Sequence, residues 1–92
     1  MKLNGRVAFV TGAASGIAAG VAVAYAREGA DVILADIDDV HATAEKVRET
    51  GREALETKVD MRKTDEINRA VDAGIEKFGK VDILFAAAAI TG

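Results

Sequence analysis

Short apolar runs alternate along this chain with segments of helical period, and a glycine closes each helical segment. That alternation leaves few folds open. Val7-Ala8-Phe9-Val10 and Asp31-Val32-Ile33-Leu34-Ala35-Asp36 are continuous enough to be strands covered on both faces, and Val81-Asp82-Ile83-Leu84-Phe85 makes a fourth strand. Leu55, Thr57 and Val59 alternate with Glu56 and Lys58, the weaker pattern of a half-exposed edge strand. Between them, Ile17, Val21 and Tyr25 recur every four positions with Ala between them, which predicts a helix from Ile17 to Glu28 with a small-residue face, suited to lying close on a sheet and stopped by Gly29. A second helix runs to about Thr50 before Gly51, with Asp38 or Asp39 as its cap and Ala44 and Val47 inward. A third follows a Thr64 cap, with Ile67, Ala70, Val71, Gly74, Ile75 and Phe78 at helical spacing before Gly79. Strands alternating with helices need right-handed crossovers, and so a parallel sheet, for which the expected order is 3-2-1-4.

The joins after the strands carry the chemistry. Thr11-Gly12-Ala13-Ala14-Ser15-Gly16-Ile17 follows the first strand, Asp36 ends the second and Asp60 ends the third. A tight glycine turn between a strand and a helix lets backbone N–H groups approach a pyrophosphate, whose charge the helix N-terminus favours. The strand order places a crevice between strands 1 and 4, where residues 12–17, Asp36 and residues 86–90 converge, so the pattern points to an adenine dinucleotide. A carboxylate at Asp36 that accepts hydrogen bonds from both ribose hydroxyls would oppose a 2′-phosphate, so NAD is expected in preference to NADP. Asp36 also has a simpler reading as a cap, and Asp60 as the first residue of a turn.

Composition narrows the remaining classes. Of 92 residues, 19 are alanine, which bury little area each, so a single thin core and one domain over residues 1–92 are expected. With 12 basic and 15 acidic residues intermixed, no basic stripe suits a nucleic-acid backbone. There is no cysteine, and one His with scattered carboxylates forms no recognisable metal cluster. The apolar run after the N-terminal residues is too short for a signal or membrane segment, so a cytoplasmic protein is expected. His41 reads as a solvated surface residue, and Lys77 and Lys80 as cations at a helix C-terminus.

Residues 11–18 resemble the Thr-Gly-x-x-x-Gly-x-Gly segment of the short-chain dehydrogenase/reductase family, and Val81-Asp82-Ile83-Leu84 resembles its fourth strand. The resemblance extends over essentially the whole chain. It implies a Rossmann-like α/β half-fold of three layers: a parallel four-stranded sheet in the order 3-2-1-4 with helices on both faces. It further implies that Gly12, Ser15, Gly16 and Ile17 line the pyrophosphate and adjoining ribose. Asp60 would face the adenine amino group with Met61 beside the ring, and Ile37 and Ala87 belong to the same cofactor-binding set.

Three departures from the family pattern matter. Ala18 stands at the loop's third glycine, adding a methyl where helix, strand and cofactor crowd together. Residues 86–89 are four alanines where the family carries Asn-Asn-Ala-Gly, which removes the side-chain amides beside the nicotinamide. Both are expected to weaken cofactor binding. The family's chemistry uses a Tyr and Lys four residues apart with an upstream Ser. Here Ser15 lies in the glycine loop and Gly29 follows Tyr25 by four, so no catalytic residue is expected in this chain. The expected function is therefore the NAD-binding half of an enzyme that moves hydride between NAD(H) and an alcohol or carbonyl compound, truncated before its catalytic residues and inactive alone. The alternative is a truncated or engineered α/β fragment that self-associates without binding cofactor. In either case the apolar fourth strand is expected to be covered by a second copy or by a missing C-terminal half.

Overall fold

The computed structural model describes residues 2–86. Its elements are β1 (Val7–Thr11), α1 (Gly16–Arg27), β2 (Asp31–Asp36), α2 (His41–Glu49), β3 (Ala54–Lys58), α3 (Thr64–Phe78) and β4 (Ile83–Ala86). All strand pairs are parallel and the order is β3-β2-β1-β4, as the alternation predicts. β1 and β2 are central and their apolar side chains are buried.

The strands' alternation divides the core into two layers. Ala8, Val10, Val32, Leu34 and Ala54 face α1 and α2, whose Ala18, Ala22, Ala26, Ala44 and Val47 complete that layer. Val7, Phe9, Ile33, Ala35 and Val59 face the other way with Ala70 of α3, flanked by half-buried Ile67, Val71 and Phe78. The small-residue face expected of the first helix is the stripe Ala18, Ala22 and Ala26, all buried, while Ile17 is 82% exposed. On the opposite side, a Cβ added to Gly74 would fall on Cδ1 of fully buried Ile33, so α3 lies against β2 with only a hydrogen between them. Ile75, expected on the inward face, is 43% exposed.

The helix caps correct two expectations. The position before α2 is Val40, with no side-chain cap; Asp39 instead accepts the His41 N–H at 2.9 Å, and Asp38 donates its own N–H to Asp36. Thr64 is already helical, and Lys63 precedes α3 without a side-chain cap. The helix starts early because the turn from Asp60 closes through backbone, Lys63 N–H to Asp60 carbonyl at 2.9 Å. The acceptor that reaches back is Glu66, which takes the Asp60 N–H at 2.9 Å.

β4 begins two residues later than its apolar run. Asp82 stays outside it as a staple: its N–H donates to the Val7 carbonyl and its carboxylate accepts the Val7 N–H, both at 2.8 Å. That amide, with Lys80 and Arg6 nearby, holds the Asp82 carboxyl below its ordinary value against the opposing effect of burial.

Candidate functional site

The parallel register brings the C-terminal ends of β1, β2 and β3 to one edge, with Thr11 beside Ala35 and Asp36 beside Lys58. Thr11 is buried and donates from its hydroxyl to the Phe85 carbonyl at 3.4 Å, tying the start of the glycine loop to β4. Beyond it the chain turns at Gly12 and Gly16, with φ of +69° and +67°. Those angles are accessible to glycine without the Cβ strain other residues would incur. A Cβ on Gly16 would meet nothing within 4 Å, so the hollow over the loop is open.

The loop's amides divide into two groups. Ala13 N–H donates to the Ala35 carbonyl at 3.2 Å and Ala14 N–H to Asp36 Oδ2 at 3.0 Å, so both are spent inside the protein. The first turn of α1, opening at Gly16, has N–H groups without intrahelical partners, no acidic residue and no side-chain cap from Ser15. This end of the helix is electropositive and aimed at the hollow, which suits a phosphate oxygen.

Asp36 is fixed by two amides, Ala14 on Oδ2 and Asp38 on Oδ1, each at 3.0 Å. A carboxylate offers about four acceptor positions, so roughly two remain for neighbouring hydroxyls. The simpler reading of Asp36 as a local anchor and its reading as a ligand group are thus compatible. Val59 N–H donates to the Asp36 carbonyl at 2.9 Å, which draws the β3 end alongside and brings Asp60 into the same edge.

Asp60 is gripped more fully. Arg62 approaches with its backbone N–H and Nε on Oδ1, both at 3.0 Å, and with Nη2 on Oδ2 at 2.9 Å. The guanidinium and the amide of Arg62 bring the carboxyl down to about 2. With three donors in place, roughly one acceptor position is left, on Oδ2, enough for a single N–H of a base.

Ile17, Ile37 and Met61, one after each of the first three strands, are 82%, 50% and 41% exposed. They account for three of the five large apolar residues exposed among the described residues, the others being Ile75 and Leu84. Apolar surface gathered beside fixed carboxylates and open amides can seat a flat ring and a sugar. Ala87 lies outside the described residues. Ala18 is 2% exposed and packs in the core layer of α1, so its methyl fills the helix–sheet contact.

Sequence reasoning did not single out Arg62 or Thr43. Thr43 is buried on α2 and its hydroxyl donates to the Ala13 carbonyl at 2.7 Å. Its signal was present in the spacing of Val40, Thr43, Ala44 and Val47, an inward helical stripe with one polar member. A groove of about 550 Å³ also runs between α1 and α2. It touches Ser15 and Gly16 but none of Asp36, Ile37, Asp60 and Met61. The edge with the carboxylates therefore has the stronger chemistry.

A glycine-turned loop into a helix, an anchored carboxylate after β2 and the order β3-β2-β1-β4 define a dinucleotide-binding α/β unit. The short chain dehydrogenase family model matches residues 6–92, and the chain belongs to that family. It is 47% identical over 90 residues to galactitol 2-dehydrogenase of Agrobacterium fabrum, covering 98% of this chain and 35% of the relative. An uncharacterized NAD-dependent oxidoreductase of Mycobacterium tuberculosis is 40% identical over 106 residues, covering 99% of this chain and 38% of that protein. Among solved structures, a short chain dehydrogenase from Mycobacterium paratuberculosis bound to NAD superposes with a TM-score of 0.94 at 34% identity. That match takes in all of this chain and 40% of the other. The chain thus spans little more than a third of the length of these two curated relatives.

Proposed function

We propose that this chain supplies the NAD-holding part of a short-chain dehydrogenase whose complete form transfers hydride between NAD(H) and an alcohol or carbonyl compound. The observation that carries the reading is Asp36: its carboxylate is pinned to the glycine loop by Ala14 and still has acceptor positions free. Ribose hydroxyls would fill those positions, the first turn of α1 would receive the pyrophosphate, and Asp60 with Met61 would meet adenine. Bound NAD would supply the hydride-carrying nicotinamide. The fixed negative charge of Asp36 favours NAD over NADP, because a 2′-phosphate would arrive against a like charge. The residues of this chain hold and orient the cofactor and take no part in proton transfer. The reading extends to a cytoplasmic protein whose β4 edge, without a second strand partner among the described residues, is covered by another copy or by a C-terminal half. Among the described residues no helix is long and apolar enough to cross a membrane.

Calorimetric titration with NAD and NADP tests the reading. NAD is expected to bind more tightly, and Asp36→Ala is expected to weaken NAD by about 10- to 100-fold, the worth of hydrogen bonds to a charged group. The variant should also abolish the preference over NADP. A folded chain that binds neither dinucleotide would refute the assignment.

A further inference from the structure

We propose that Thr43 is a positioning residue for the glycine loop, and that it serves the pyrophosphate end of the site by fixing the loop peptide to which Asp36 is also bonded. This rests on the NAD reading above and names a residue that acts through the loop. The Ala13 carbonyl and the Ala14 N–H belong to one peptide unit. Thr43 Oγ1 holds the carbonyl at 2.7 Å from α2, and Asp36 Oδ2 holds the N–H at 3.0 Å from the end of β2. A third bond, Ala13 N–H to the Ala35 carbonyl at 3.2 Å, fixes the preceding peptide. The plane of the Ala13–Ala14 peptide is thereby set from both sides, and so is the direction in which residues 15–17 enter α1.

Thr43 is 3% exposed on a helix face otherwise made of Val40, Ala44 and Val47. Packing alone would be met by valine, which has the same shape. The hydroxyl serves the buried loop carbonyl, which would otherwise have lost water without gaining a partner. Because Asp36 touches both the loop and the expected ribose, a sugar seated on Asp36 bears on the same peptide that Thr43 steadies. Losing the Thr43 bond leaves Asp36 in place for the ribose but frees the loop peptide to turn, so the loss falls mainly on the pyrophosphate end.

The test compares Thr43→Val and Thr43→Ser with the parent chain, using amide hydrogen exchange and titrations with NAD, ADP and adenosine. In Thr43→Val the Ala14 amide should exchange about tenfold faster, and NAD and ADP should each bind about tenfold more weakly, as expected for one lost buried hydrogen bond. Adenosine, which lacks the pyrophosphate, should change less than about twofold, and exchange at Val32 and Leu34 should not change. Thr43→Ser should restore NAD affinity and slow exchange, since it returns the hydroxyl without the methyl. Unchanged Ala14 exchange in Thr43→Val would overturn the proposal, as would equal weakening of adenosine and ADP or failure of the serine variant to rescue. Should the parent chain bind no NAD, the cofactor reading fails by itself. Ala14 exchange then still decides whether Thr43 holds the loop.

Discussion

Arg62 closes on both oxygens of Asp60, and the consequence at the scale of single residues is a carboxylate that keeps its charge far into acid. The folded value of about 2 lies below the ordinary 3.8. The stabilisation from this pair is therefore complete above about pH 4 and is lost as pH falls through 2. Carboxyl-carbon NMR titration should place the Asp60 midpoint near 2, and Arg62→Ala should return it toward the ordinary range. His41 has the opposite sign. Hydrogen bonding and charge from Glu56, with Nδ1 at 3.1 Å, raise its pKa above 6.5, as do the charges of Glu45 and Asp39. Burial pushes the Glu56 carboxyl up, yet hydrogen bonds from Arg48 and His41 outweigh that and leave it lowered. The His41 contribution is full below pH 6.5 and disappears as pH rises through its folded value. Melting temperature from pH 5.5 to 9 should fall more in the parent chain than in His41→Gln; parallel curves would count against the pairing.

At the scale of elements, α3 is held to the sheet by what Gly74 lacks. In Gly74→Ala the new methyl must displace Ile33, which is fully buried, at a cost of about 1–3 kcal/mol. The gain in helix propensity returns about 1 kcal/mol. Urea unfolding should therefore show a net loss of order 1 kcal/mol, with an unchanged denaturant slope. The elements themselves were largely legible in the sequence. β2 is the run Asp31–Asp36 and α3 ends where Gly79 takes φ of +86°. The small-residue face of α1 was readable, but the recurrence of Ile17, Val21 and Tyr25 runs along a different face from the buried stripe of Ala18, Ala22 and Ala26. What escaped depends on tertiary closure. Thr64 has the chemistry of a cap, but the backbone turn from Asp60 starts the helix before it can act as one. Arg62 finds Asp60 only once that turn has formed. Thr43 stands in the inward stripe with Ala44 and Val47, but the acceptor of its hydroxyl is met only once the glycine loop lies over it. At the site, charge and spacing identified Asp36 and the loop, whereas the hydrogen bonds that orient them join residues 22 and 30 positions apart.

Across the whole molecule the sheet is unevenly covered. β4 pairs with β1 on one side only among the described residues, and Leu84, beside Phe9 in register, is 68% exposed on the α3 face. An apolar strand with one open edge is a template for another strand. Sedimentation should show this chain associating at micromolar concentrations, and Leu84→Lys should shift it toward monomer without lowering its melting temperature by more than a few degrees. A concentration-independent monomer would count against pairing through β4. The staple between Asp82 and Val7 spans 75 residues of sequence, yet it closes one flank of the central strand. At about 5–20 residues per second, a ribosome would need roughly 4–15 s to release the second partner after the first. During that interval β1 has one unpaired flank, an opening in time through which a nascent chain would be exposed to a holdase before its cofactor cleft could have a floor.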